Sequence, residues 1–126
     1  MPETFDIENC GDYISVKLGA DYEVSPEQEE EFWAEVKAAC ERCDCHSVLV
    51  EGYVPKRQPE PIEMVQAGVK AATVDPKLWF AICLDNFEPT ELGELFKAVA
   101  RSRGVHVKFF TDRDHALLWL RSGSHS

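Results

Sequence analysis

Four soft metal ligands stand within seven residues at Cys40-x-x-Cys43-x-Cys45-His46. Thiolates and an imidazole at such spacing are a donor set that tetrahedral zinc accepts. Structural zinc sites, however, usually draw two ligand pairs from separated stretches, and this chain offers no second pair. Cys40 and Cys43 also fall on the apolar stripe of a predicted helix, where a small thiol packs as a hydrophobe. The cluster therefore reads as core, with no metal and no cofactor expected. His115 follows Asp112 and Asp114. A nucleophile, a histidine and a carboxylate assemble in space rather than in sequence. No Gly-x-Ser-x-Gly elbow accompanies this histidine, and it reads as a surface residue of a helical first turn. No catalytic residue is assigned, and the chain is read as not an enzyme.

A third constellation is Lys56-Arg57-Gln58, in a loop bracketed by Pro55, Pro59 and Pro61. Asp85 and Glu88 follow a central strand. In open α/β sheets, binding sites gather at the carboxyl ends of strands, where all these residues are expected. A positive loop beside the positive end of the Pro61 helix suits a carboxylate or phosphate. No glycine-rich phosphate loop is present, so a nucleotide is not the expected ligand.

The elements that must position these groups follow from periodicity. Phe5 to Asn9 reads as a strand and Gly11-Asp12 as a turn. In Tyr13 to Leu18, Ile14, Val16 and Leu18 point one way, and Tyr13, Ser15 and Lys17 the other. Ser25, Pro26 and Gln28 form a helix start with a capping box. The helix is expected to run to about Cys43, with Phe32, Trp33, Val36, Ala39, Cys40 and Cys43 on one stripe. Ser47 to Val54 is the next strand. Pro61 opens a helix whose inner face is read as Ile62, Val65, Val69 and Ala72, and Asp75-Pro76 ends it. Leu78 to Leu84 is apolar throughout, the mark of a central strand. A third helix starts near Thr90, carries Leu92, Leu95, Phe96 and Val99, and closes at Gly104 in a left-handed cap. Val105 to Phe110 alternates Val105, Val107 and Phe109 against His106, Lys108 and Phe110. Thr111 is read as the cap of a last short helix, with Ala116, Leu117 and Leu120 inward and Trp119 beside them. Ser122 to Ser126 reads as a frayed tail.

The order β-β-α-β-α-β-α-β-α implies one α/β domain over residues 1–126, with a mixed, mostly parallel five-stranded sheet. Strands covered on both faces should be apolar on both. Tyr13 to Leu18 and Val105 to Phe110 each carry a polar face, so the helices are expected mainly on one side. The other face is then partly open, with Tyr13, Lys17, His106 and Phe110 on it.

At 126 residues, a domain buries roughly two thirds of its unfolded surface and needs no metal or disulfide to fold. The 44% apolar content suits a globular chain. Five cysteines, an odd count, are expected as free thiols. No apolar run approaches the roughly 20 residues of a membrane span. Met1-Pro2-Glu3-Thr4 lacks the basic start and apolar core of a signal peptide, so the expected setting is cytoplasmic. Acidic residues outnumber basic ones 23 to 13, and the net charge of −10 opposes nucleic acid and anionic membranes as partners. The run from Glu27 to Glu31, with Glu35, suits the N-terminal turns of a helix.

Beyond these physical readings, one stretch resembles a known family. Val99-Ala100-Arg101-Ser102-Arg103-Gly104-Val105-His106-Val107-Lys108-Phe109-Phe110-Thr111-Asp112, continued by Asp114-His115-Ala116-Leu117-Leu118-Trp119-Leu120, is similar to the end of the short SpoIIAA-like branch of the STAS family. The strand Val48-Leu49-Val50-Glu51-Gly52, with its basic, proline-rich loop, is similar too. The resemblance implies a right-handed β-α superhelix related to Sec14-type lipid-carrying domains. It also implies a regulatory role through protein contacts. Anti-sigma antagonists of this kind carry a phosphorylatable Ser or Thr after the central strand, whereas Val54 to Met64 holds no Ser, Thr or Tyr. The expected function is thus a non-catalytic regulatory or protein-interaction domain without that switch. Its contacts would be with a protein partner or a second copy, through Tyr13, Lys17, His106 and Phe110 or through the Lys56-Arg57 edge. The alternative is a domain binding a small molecule or lipid with an anionic group, through Lys56, Arg57, Gln58 and Asp85.

Overall fold

Consecutive strands of this chain lie side by side, in the order β1-β2-β3-β4-β5. The computed structural model describes residues 5–9, 11, 13–19, 26–53, 60–74, 77–85 and 91–123, and for residues 26–29, 53, 85 and 123 the backbone alone. The strands are β1 (Phe5–Asn9), β2 (Ile14–Leu18), β3 (Ser47–Tyr53), β4 (Trp79–Asp85) and β5 (His106–Phe110). The helices are α1 (Pro26–Cys43), α2 (Pro61–Val74), α3 (Glu91–Ser102) and α4 (Arg113–Gly123). β1 and β2 form the expected antiparallel hairpin, with Phe5 opposite Leu18. The remaining pairs, β2–β3, β3–β4 and β4–β5, are parallel. This is the mixed, mostly parallel five-stranded sheet that the element order implied.

The march of β2 to β5 in one direction decides where the helices lie. Right-handed crossovers taken always the same way put every connecting helix on the same sheet face. Accordingly, Val36 of α1, Ala67 and Ala71 of α2, and Phe96 and Ala100 of α3 bury together with Val16, Val48, Val50, Phe80, Ile82 and Val107. Rings tie this layer together. Trp33 lies 4.9 Å from Phe32, 5.3 Å from Phe80 and 6.5 Å from Phe96, centroid to centroid. Such ring pairs add about 0.5–1.5 kcal/mol each beyond their buried area.

α4 follows the last strand and crosses nothing over, so the handedness rule does not bind it to that layer. It packs on the opposite face, where Ala116, Leu117 and Leu120 meet Leu49, Ala81 and Tyr13. Side chains alternate along a strand, so Leu49 serves this face while Val48 and Val50 serve the other. Three helices therefore cover one face, and α4 covers part of the second.

Three expectations need correction. The inner face of α2 is not centred on Ile62, Val65 and Val69, although the half-buried Ala72 does pack against the core. The buried positions are Glu63, Ala67, Gly68, Ala71 and Val74, while Ile62 is 61% exposed. α2 presents its small residues inward because α3 lies close: a methyl group on Gly68 would meet Val99 Cβ at 2.8 Å. Second, α4 is capped by Asp112 rather than Thr111. The Asp112 carboxylate accepts the Asp114 amide at 2.9 Å, and its carbonyl accepts the Ala116 amide. Third, α4 continues as helix through Gly123, two residues into the stretch read as a frayed tail. α2 opens at Pro61 as expected, and Glu63 reaches back to accept the Glu60 amide at 3.1 Å, half of a capping box. Gly104 takes the left-handed conformation, φ 97°, that was expected of it.

Candidate functional site

The register places side chains of the α4 face in three rows across the sheet. Ser47, Trp79 and His106 form the first row, with Tyr13 beside it at the start of β2. Ser15, Leu49, Ala81 and Lys108 form the second. Lys17, Glu51, Cys83 and Phe110 form the third. α4 starts near the third row and runs back over β3, β4 and β5.

Its first residue makes the polar anchor. Arg113 Nε donates to Glu51 Oε1 at 3.1 Å, and Arg113 Nη2 donates to the Tyr13 hydroxyl at 3.1 Å. Tyr13 is only 7% exposed, because α4 lies over its ring. It is therefore not part of an open face, contrary to the reading from alternation alone. Lys17 is exposed, but β3, β4 and α4 stand between it and the β5 residues. The four residues expected to form one partner face are thus split.

What the structure does bring together is a stack of rings on β4, β5 and α4. The Trp79 and His106 rings stack at 4.3 Å, Trp79 and Trp119 meet at 4.8 Å, and Trp119 and Phe110 at 5.6 Å. Lys108 Nζ sits 5.4 Å above the Phe110 ring, within cation–π range. His106 is exposed, while Trp79, Phe110 and Trp119 are half-buried. Leu118, one residue before Trp119, is 64% exposed. Sequence reasoning found His106 and Phe110 but not Trp79. The signal was there in the alternation Trp79, Ala81, Cys83 within a strand read as buried on both faces.

The cysteine cluster takes a structural role. Cys40 and Cys45 are buried and Cys43 half-buried; the Cys45 thiol donates to the Ser47 carbonyl at 3.5 Å. Among the described residues, no group of three or more His, Cys, Asp or Glu side chains gathers as a metal site. His115 Nδ1 lies 3.6 Å from Asp112 Oδ2, an exposed pair on the first turn of α4. Lys56, Arg57, Gln58 and Glu88 lie outside the described residues. Asp85 is the last residue of β4, and its backbone is in register with Tyr53 at the carboxyl end of the sheet. The strand order never reverses, so these strands create no topological switch point of the kind that holds ligands in doubly wound sheets. No helix among the described residues is long and apolar enough to cross a membrane.

Comparison of the chain with protein-family models, with curated proteins and with solved structures finds no match.

Proposed function

We propose that this chain is a non-catalytic regulatory or protein-interaction domain of the SpoIIAA-like, STAS kind, working without a phosphorylatable hydroxyl in the loop after its central strand. The observation that carries this reading is the ring stack of Trp79, His106, Phe110 and Trp119 on the α4 side of the sheet. Tryptophan and phenylalanine rings offer large contact area with few rotors to freeze, so half-buried clusters of them concentrate binding energy at protein interfaces. Leu118, the residue before Trp119 on α4, is a large apolar side chain left exposed. Two further observations support it. Strands in consecutive order with all three connecting helices on one face suit a β-α superhelix. Among the described residues, Cys40 and Cys45 are taken up in packing, Asp112 in capping, and Glu51 and Tyr13 in holding α4, which suits a contact role for this side of the sheet.

A photo-crosslinking phenylalanine analogue placed at position 118 tests this in the native cell. The expected result is a covalent adduct with a protein, either a partner or a second copy. The same analogue at the exposed position 41 on α1 should give none. Equal adducts from both positions, or none from 118, would rule out this surface as the contact.

A further inference from the structure

Three of the four rings of the stack, His106, Phe110 and Trp119, lie in a C-terminal stretch whose charge is opposite to that of the rest of the chain. Residues 97–126 hold six Lys or Arg and two Asp or Glu, a balance of +4. Residues 1–96 hold seven and 21, a balance of −14, and together these make the −10 of the whole. Lys108 stands over the Phe110 ring, and Arg103 precedes the strand that carries His106. Arg101 ends α3, and Arg103 lies in the turn that leads through Gly104 into β5, two residues before Val105 and three before His106. Lys108 stands in β5 between His106 and Phe110, on the same face. Arg101, Arg103 and Lys108 are exposed, and none of them forms an ion pair with a described residue. The acidic residues of this segment, Asp112 and Asp114, stand at the other end of α4 from Trp119, where Asp112 is occupied as a cap.

From this juxtaposition we propose that the surface of Trp79, His106, Lys108, Phe110 and Trp119, with Arg103 in the turn that enters β5, binds a short acidic segment of a partner protein that also carries aromatic or aliphatic side chains. This rests on the interaction reading above and adds the partner's chemistry. Rings take the apolar side chains of such a segment, and the exposed cations meet its carboxylates. Complementary charge then selects the partner and speeds encounter. A nucleic acid would also find rings and cations here. Its long phosphate backbone, however, would run past the patch onto a molecule that is strongly negative elsewhere. A short acidic segment is confined to the patch, within about one Debye length of 8–10 Å from its cations.

The test titrates the full chain with three labelled probes: a synthetic peptide alternating Glu and Phe, its counterpart alternating Lys and Phe, and an oligothymidine. Fluorescence anisotropy and tryptophan emission are read at low and at physiological salt. The Glu peptide is expected to bind, to alter tryptophan emission, and to weaken as salt rises; the Lys peptide is expected not to bind. Arg103→Glu combined with Lys108→Glu should lower its affinity about tenfold or more. The control pair Lys37→Glu with Arg42→Glu, on exposed positions of α1, changes net charge equally and should leave binding as it was. Failure of the Glu peptide, equal losses from both pairs, or tighter binding of oligothymidine would overturn the inference. If position 118 still crosslinks to a protein in that case, only the acidic chemistry of the partner falls. If it does not, the interaction reading falls with it.

Discussion

Gly52 has φ 134°, a conformation that residues with a Cβ rarely adopt, at the carboxyl end of β3. A Cβ built there would collide with the Leu18 carbonyl oxygen of the neighbouring strand. Backbone cannot swing aside as a flexible side chain can, so the register of β2 and β3 depends on the missing methyl. Gly52→Ala should cost about 1–3 kcal/mol, the usual scale for a non-glycine residue held in such backbone. That is a large share of the roughly 5–15 kcal/mol that keeps a domain folded. Chemical denaturation would read it as a lower midpoint with an unchanged slope. A variant as stable as the parent would mean that Gly52 is not required for strand approach. Arg113 works at the same scale in the opposite sense, adding a link where Gly52 makes room. Its half-exposed guanidinium joins a largely buried carboxylate on β3 and a buried phenol on the hairpin. Because solvent screens half-exposed pairs, this link contributes through geometry, holding the first turn of α4, more than through charge.

Among the elements, α2 and α3 show how close packing outranks bulk. The sequence of α2 offers two apolar stripes, one of large residues through Ile62, Val65 and Val69, and one of small residues through Ala67, Gly68 and Ala71. Large residues would bury more area, yet the small stripe faces inward. Val99 Cβ and Cγ1 would each stand 2.8 Å from a methyl on Gly68, and the Ala100 amide nitrogen 3.1 Å away. Gly68→Ala gains about 1 kcal/mol of helix propensity. It loses about 1–3 kcal/mol to overpacking, so a net loss of stability is expected. In a Val99→Ala background the loss should shrink by roughly 1 kcal/mol, since the two sites share a contact. Denaturation of the two single variants and the double variant closes that cycle. Additive losses would show that Gly68 and Val99 do not press on each other. The neighbouring strands were legible by contrast. In β5, Val107 is buried and His106 and Lys108 are exposed, as the period of two required. α1 was legible for a similar reason: only one of its stripes is apolar, and Phe32, Trp33, Val36, Ala39 and Cys40 are all buried.

At the scale of the whole molecule, charge is unevenly divided and largely unneutralised. A net charge of −10 on 126 residues repels itself, and salt screens that repulsion over about 10 Å at 0.1 M. The melting temperature should therefore rise between low and physiological salt. A fall would mean that favourable ion pairs, such as Arg113 with Glu51, outweigh the repulsion. The fold class, the hairpin entry, the parallel pairs and the core stripe of α1 were determined by local pattern, because periodicity and crossover handedness act along the chain. The resting place of α4 was not, because a helix after the last strand has no second strand to reach. Its apolar stripe of Ala116, Leu117 and Leu120 could be read, but not the face that receives it. By settling on Leu49 and Ala81, α4 buries Tyr13, removes it from the surface and separates Lys17 from β5. The same choice brings Trp119 against Trp79 and Phe110, residues from two strands that share a face only through the register of the sheet. Side-chain type and spacing thus determined which faces were apolar. Only the tertiary structure decided which of those faces meet, since burial is a property of the pair in contact and not of either stripe alone.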